Sequence, residues 1–167
     1  AMRQTRVGEL SHWKGCAFAN SARNAVFATY LAQAGMTGPR EVIEGEMGLM
    51  AQLAKGPFDW PRLKQDCQWM IERTYIKHFP AEYHSQSAIE LALDLRQQLG
   101  GDVSKVTKIH LDTFDAAADI IAGFAEHWRP QSRETADHSM PYCVTVALLD
   151  GDITLKSFDK VKRDDPT

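Results

Sequence analysis

Apolar residues in this 167-residue chain follow two different periods. From Cys16 to Ala34 the chain is rich in alanine and nearly free of β-branched residues, and Phe18, Val26, Phe27, Tyr30 and Leu31 recur at spacings of three and four. That is the period of a helix face, and Gly35 supplies the stop. A short helix is expected from Gly38-Pro39 to Ile43, then a loop or helical turn from Gly45 to Gly56. Gly56-Pro57-Phe58-Asp59-Trp60-Pro61 breaks regular structure twice and marks a domain boundary.

Beyond that boundary the period shortens. Trp69, Ile71, Arg73, Tyr75 and Lys77 alternate with Met70, Glu72, Thr74, Ile76 and His78, which predicts a strand ending at Phe79-Pro80. Ser85 or Ser87 then caps a helix through Leu99, with Ile89, Leu91, Ala92, Leu93 and Leu95 available for its buried face and Gly100-Gly101 as its end. Residues 103–114 read as a second strand, and Asp115 caps a helix through about His127. Two strand-then-helix units in succession predict a small α+β domain between helical flanks. The fold class is therefore α+β and mainly helical.

The stretch from Arg133 to Gly151 carries the candidate chemistry. Polar and charged side chains crowd Arg133-Glu134-Thr135-Ala136-Asp137-His138-Ser139, and an apolar helical run follows from Met140. Ser139 is a good N-cap, and Pro141 is tolerated in a first turn whose N–H groups lack intrahelical partners. Tyr142 falls in that first turn and His138 just before it, where the helix dipole favours an anion. His84, Ser85 and the N–H groups of Gln86 and Ser87 could form a second anion cradle, although a histidine there is more often a surface residue.

Composition narrows the function classes. A formal net charge of −3 gives no overall basic surface for nucleic acid. No apolar run is long enough to span a bilayer. Cys16, Cys67 and Cys143 are an odd number without C-x-x-C spacing and read as reduced thiols, not as a disulfide framework, zinc site or iron–sulfur site. His12, His78, His110 and His127 show no metal-ligand spacing and read as surface or core residues, so no metal and no cofactor are expected.

Three strings in order, Trp13-Lys14-Gly15-Cys16-Ala17-Phe18-Ala19-Asn20, Lys77-His78-Phe79-Pro80-Ala81-Glu82-Tyr83-His84 and Ala136-Asp137-His138-Ser139-Met140-Pro141-Tyr142, resemble the MmgE/PrpD family. The resemblance implies a two-domain fold in which residues 1–56 are part of a helical domain, 57–132 a mixed α/β lid, and 133–167 a return into the helical domain. It implies a lyase: dehydration of 2-methylcitrate to 2-methyl-cis-aconitate in propionate breakdown, with decarboxylation of cis-aconitate as the alternative. A non-catalytic module that binds an acid or a partner protein is the rival from another class. The parent protein is expected to be a cytoplasmic homodimer, or a mitochondrial one if eukaryotic, with a tricarboxylate as its small-molecule partner and no nucleic-acid or membrane partner. Family members are much longer and carry further catalytic residues in an N-terminal helical portion. The chain is therefore expected to be an internal piece that turns over little by itself, with Ala1 a cloning remnant.

Dehydrating a hydroxy tricarboxylate requires a base for a weakly acidic C–H, an acid for the leaving oxygen, and cations for the carboxylates. With no cluster ligands in the chain, side chains must supply all three. Lys14 and Lys77 read alone are exposed lysines; the resemblance assigns Lys14 to substrate-carboxylate binding and makes Lys77 a lid residue reaching the substrate. It gives Tyr142 the role of donating to the leaving hydroxyl or holding a carboxylate, and His138 that of orienting it or transferring a proton. A packing tyrosine and a histidine bonded to a backbone carbonyl are the plainer alternatives. His84 and Ser85 are further substrate-binding candidates. Arg133 could clamp a carboxylate, although a surface ion pair suits it as well, and Asp137 reads as structural, capping or pairing with Arg133.

Overall fold

The computed structural model describes residues 3–54 and 69–164, and the expected boundary at Gly56–Pro61 lies outside them. The chain divides into two compact units, Ala1–Phe18 with Ile76–Thr167, and Ala19–Tyr75. Seven α-helices run in the order α1 Trp13–Gln33, α2 Gln86–Gln98, α3 Asp115–Ile121, α4 Ala125–Trp128, α5 Arg133–Ala136, α6 Met140–Asp150 and α7 Lys160–Arg163 among the described residues, joined by single helical turns. Mainly helical is thus the observed class.

The mixed α/β lid is not observed. Among the described residues there is no strand, and the two segments that alternate in sequence, 69–79 and 103–114, run without a ladder partner. An extended segment leaves its N–H and C=O groups unpaired unless a neighbour lies beside it, so alternation alone does not make a strand. The first segment opens on a 3₁₀ turn, Met70–Arg73, closed by Thr74 N–H to Ile71 O (3.2 Å), and its isoleucines are open: Ile71 is 76% exposed and Ile76 95%. The expected short helix after Gly38 is a series of turns closed by Gly45 N–H to Glu41 O (2.8 Å) and Leu49 N–H to Val42 O (2.9 Å), and a π-helical turn, Met50–Ala54, follows. The helix expected from Asp115 to His127 is two helices, α3 and α4, interrupted around Gly123.

Helix α1 forms on the expected residues, yet none of its side chains is buried. Its alanines, which lose no side-chain entropy on becoming helical, support it locally. Phe18 remains 84% exposed.

The core belongs to α6. This helix is apolar on nearly every side and buries Met140, Cys143, Val144, Val146, Ala147 and Leu148. Helix α2 packs along it with Ala88, Ile89 and Ala92 inward, while Leu91 and Leu95, expected on that face, are more than half exposed. Ile121 of α3, Ile153 and Phe158 complete the cluster. Both ends of α6 are closed as the sequence predicts. The Ser139 hydroxyl accepts from Tyr142 N–H (3.0 Å), and Gly151 N–H donates to Ala147 O (3.0 Å) with Gly151 in the left-handed region at φ 76°. Arg96 of α2 reaches across to donate through Nη1 to Leu148 O.

Gly151 is required twice over, because a Cβ there would stand 2.8 Å from Arg96 Nε as well as in a backbone region that L-residues avoid. Gly151→Ala is expected to destabilise the fold by about 1–2 kcal/mol through backbone strain alone. The check is a lower urea midpoint with an unchanged slope.

Candidate active site

Three segments far apart in sequence are drawn together ahead of α6. The Thr135 hydroxyl, fully buried on α5, accepts from Leu10 N–H (2.8 Å) and donates to Glu9 Oε1 (2.9 Å), and Ser132 Oγ donates to Leu10 O (2.8 Å). These bonds anchor the chain just before α1, and so Lys14, to α5. From the other side Glu82 N–H donates to Asp137 O (2.7 Å), which brings in residues 77–85.

Lys14 is strongly perturbed as a result. Burial removes water from its ammonium and pushes its pKa down to about 8. The negative charges of Asp137 and Glu82 oppose that shift, and the positive charges of Arg6 and Lys77 add to it. Desolvation is the largest contribution, so Lys14 exchanges its proton near neutrality. Lys77, more exposed, donates to Ala81 O at 2.9 Å.

His138 is half-buried, and the geometry specifies its tautomer. Its Nδ1 lies 2.9 Å from the Glu134 carbonyl oxygen and also contacts Asp137 Oδ1. Carbonyl and carboxylate oxygens are acceptors only, so Nδ1 carries a hydrogen, and in the neutral ring it is Nε2 that presents the lone pair. Asp137 therefore pairs with its neighbour and not with Arg133, whose guanidinium lies on the surface 3.5 Å from Leu155 O. His127 is buried on α4, and desolvation, helped by the charges of His138 and Lys14, lowers its pKa and keeps it neutral.

The remaining candidates lie apart from this cluster or are engaged. Tyr142, in the first turn of α6, donates its hydroxyl to Ser157 O (2.5 Å) and lines a cavity of about 520 Å³ that includes none of Lys14, Lys77 or His138. The His84 N–H donates to Glu82 Oε2 (2.6 Å), and its ring meets Phe114 edge-on. Ser85 is buried with its hydroxyl donating to Glu82 O (2.6 Å). A carboxylate of the protein thus occupies the His84 amide of the expected anion cradle. Glu82 and Asp137 are the two carboxylates whose charge acts on Lys14; in sequence Asp137 has a structural reading and Glu82 none, and 55 residues separate them. Cys143 is buried beneath the site, where burial raises its thiol pKa to about 12 and keeps it from acting as a thiolate.

A mainly helical chain with a lysine–histidine–carboxylate cluster ahead of a buried helix is equipped to bind an anion and move a proton beside it. Residues 79–167 match the MmgE/PrpD C-terminal domain and residues 1–61 the MmgE/PrpD N-terminal domain. The chain belongs to the MmgE/PrpD family. It is similar to 2-methylcitrate dehydratase of Salmonella typhimurium (strain LT2), 36% identical over 101 residues, covering 58% of this chain and 20% of that protein. It is also similar to 2-methylcitrate dehydratase of Cupriavidus necator (29% identity, 92% of this chain, 32% of that protein) and to human cis-aconitate decarboxylase (25% identity, 88% of this chain, 31% of that protein). The chain spans between a fifth and a third of the length of these relatives. No solved structure matches it.

Lys14 is expected to be acylated by an amine-directed reagent with a reactivity midpoint near pH 8, as read by mass spectrometry of labelled peptides; a midpoint near the free-lysine value of 10.5 would refute its desolvation. For His138, imidazole ¹⁵N NMR is expected to show Nδ1 protonated and Nε2 bare in the wild type, the reverse of the preference of free histidine. Asp137→Asn is expected to bring in the Nε2–H form.

Proposed function

We propose that this chain is part of a hydro-lyase that dehydrates 2-methylcitrate or a close hydroxy tricarboxylate. The observation that carries this reading is that Asp137 holds Nδ1 of His138 and also acts through its charge on Lys14, a lysine whose pKa is about 8. Near pH 7 to 8 most or much of the Lys14 population still holds its proton.

In this reading Nε2 of His138 takes the proton from the carbon next to a substrate carboxylate. The C–H electron pair forms the new double bond as the C–O bond on the neighbouring carbon breaks. The hydroxyl leaves as water, with its second hydrogen supplied by the Lys14 ammonium or by the Tyr142 hydroxyl once that is released from Ser157 O. Lys77, with whichever of Lys14 and Tyr142 is not the acid, would hold substrate carboxylates and offset the charge that builds on them. His84 and Arg133 would bind outer carboxylates, and Ser85 would hold Glu82 in place. The reaction balances on side chains alone. Because the chain is a fraction of the length of its relatives, we expect it to turn over little by itself.

A second reading rests on the similarity to human cis-aconitate decarboxylase across 88% of this chain. There the same cations would bind the ligand, carbon dioxide would leave, and a protonated group would deliver its proton to carbon. The test is turnover of 2-methylcitrate, citrate and cis-aconitate by the protein as encoded in full, with products identified. Dehydration of 2-methylcitrate is expected, reduced on the order of 10²-fold or more in Lys14→Ala, His138→Gln and Tyr142→Phe. Activity is expected to fall as pH rises through about 8 and Lys14 loses its proton. Carbon dioxide from cis-aconitate would favour the second reading, and full activity in all three variants would refute the site.

A further inference from the structure

The cavity walled by Tyr142 has a chemistry of its own. It opens between the C-terminal half of α6, the segment after α4 and the end of α7, and three cationic side chains line it: Arg129, Lys162 and Arg163. Lys162 is held by Asp150, Nζ to Oδ1 at 2.8 Å. Asp164 is the one acidic residue in the lining. The Arg129 guanidinium is exposed and makes no hydrogen bond or ion pair among the described residues.

Arg163 is more informative. Its Nη1 donates to Phe158 O at 3.0 Å, which fixes one side of the guanidinium. Its Nε is buried and has no hydrogen-bond partner among the described residues. A charged N–H removed from water without an acceptor is costly and rare in folded proteins. With Nη1 bonded and Nε buried, Nη2 is the nitrogen left to donate to a carboxylate or phosphate, as guanidinium groups commonly do. The surroundings suit an organic anion better than a bare ion: Trp128, Val146 and Leu149 offer apolar surface, Gln131 and Thr145 offer hydrogen bonds, and about 520 Å³ lies in the range of small-molecule sites.

We propose that this cavity is a second, oxyanion-binding site, in which a small organic anion places one carboxylate or phosphate group on Arg163 and Arg129 and packs its body on Trp128 and Leu149. It shares no residue with the Lys14–Lys77–His138 cluster. It therefore stands or falls independently of the proposed reaction. Its one link to that reaction is Tyr142, which lies on the wall of the cavity and on the helix that follows His138.

The experiment is a titration of the chain with citrate and, separately, with inorganic phosphate, each against sodium chloride of matched ionic strength, followed by backbone amide shifts. Saturable movement of the Arg129, Gln131 and Arg163 amides is expected. Arg129→Gln and Arg163→Gln are each expected to weaken it roughly tenfold, and Lys14→Ala to leave it unchanged. Arg129 is exposed and unbonded, so its variant tests the site even if Arg163→Gln loosens α7. Saturation by citrate alone identifies a carboxylate ligand, by phosphate alone a phosphate ligand, and by both a site for oxyanions in general. The inference is overturned if neither anion saturates these amides, if sodium chloride reproduces the shifts, or if Lys14→Ala abolishes them while the arginine variants do not.

Discussion

The start of α6 is the constraint on which the site depends. Ser139 is fully buried, accepts from Tyr142 N–H, and donates its own hydrogen to the carbonyl of His127. One hydroxyl thus closes the orphan N–H of a buried helix and binds α4 to α6. A helix end buried in this way cannot shift without exposing two unsatisfied backbone groups, each of which costs on the order of 1–3 kcal/mol. His138 and Asp137 immediately precede that fixed point and inherit its position. The carbonyl that orients His138 comes from Glu134 on α5, whose N-cap Ser132 is itself bonded to Leu10.

Electrostatics around Lys14 follow from that arrangement. Two carboxylates, Asp137 and Glu82, would by themselves raise its pKa, and burial would lower it. Burial prevails, with help from Lys77 and Arg6. Lys14 therefore favours folding less while it is charged. Its native pKa lies below the value of 10.5 for a free lysine, so between about 8 and 10.5 the unfolded chain binds more protons and this group's contribution to stability rises with pH. The site keeps a cation where the fold would prefer a neutral amine, a local conflict of the kind found where function competes with stability.

Much of the helical architecture was legible because its signals are local. Ser139, Pro141 and Gly151 bracket α6 within a residue or two of where it forms, and the alanine-rich run marks α1. Strands were misread because alternation describes one edge of a sheet, and pairing depends on a neighbour that the pattern does not contain. Ile109, on the supposed second strand, is 48% exposed where a paired and covered strand would have buried it. The break between α3 and α4 at Gly123 was visible in principle, since glycine weakens a helix interior by roughly 1 kcal/mol. In the site, Lys14 feels the charges of Asp137, Glu82 and Lys77, and His138 bonds to Asp137. Glu82 carries no signal in the sequence because Lys14, the cation on which its charge acts, lies 68 residues away. Tyr142 was named from its string, but the rotation of α6 turns its hydroxyl toward Ser157.

That rotation joins the two anion-directed regions. Successive residues on a helix point about 100° apart, so the residues flanking the α6 N-terminus cannot all face one ligand. Asp137, before the cap, acts through its charge on Lys14; Tyr142, in the first turn, lines the arginine-lined cavity. For Tyr142 to act with His138 on one substrate, its hydroxyl must leave the Ser157 carbonyl, and its bond there is short at 2.5 Å. Either the segment carrying Ser157 moves when substrate binds, or Tyr142 serves the cavity and leaves acid catalysis to Lys14. Releasing that hydroxyl means displacing a 3₁₀ turn that contains Phe158, a fully buried core residue, and this is the structural cost of giving Tyr142 the role of an acid.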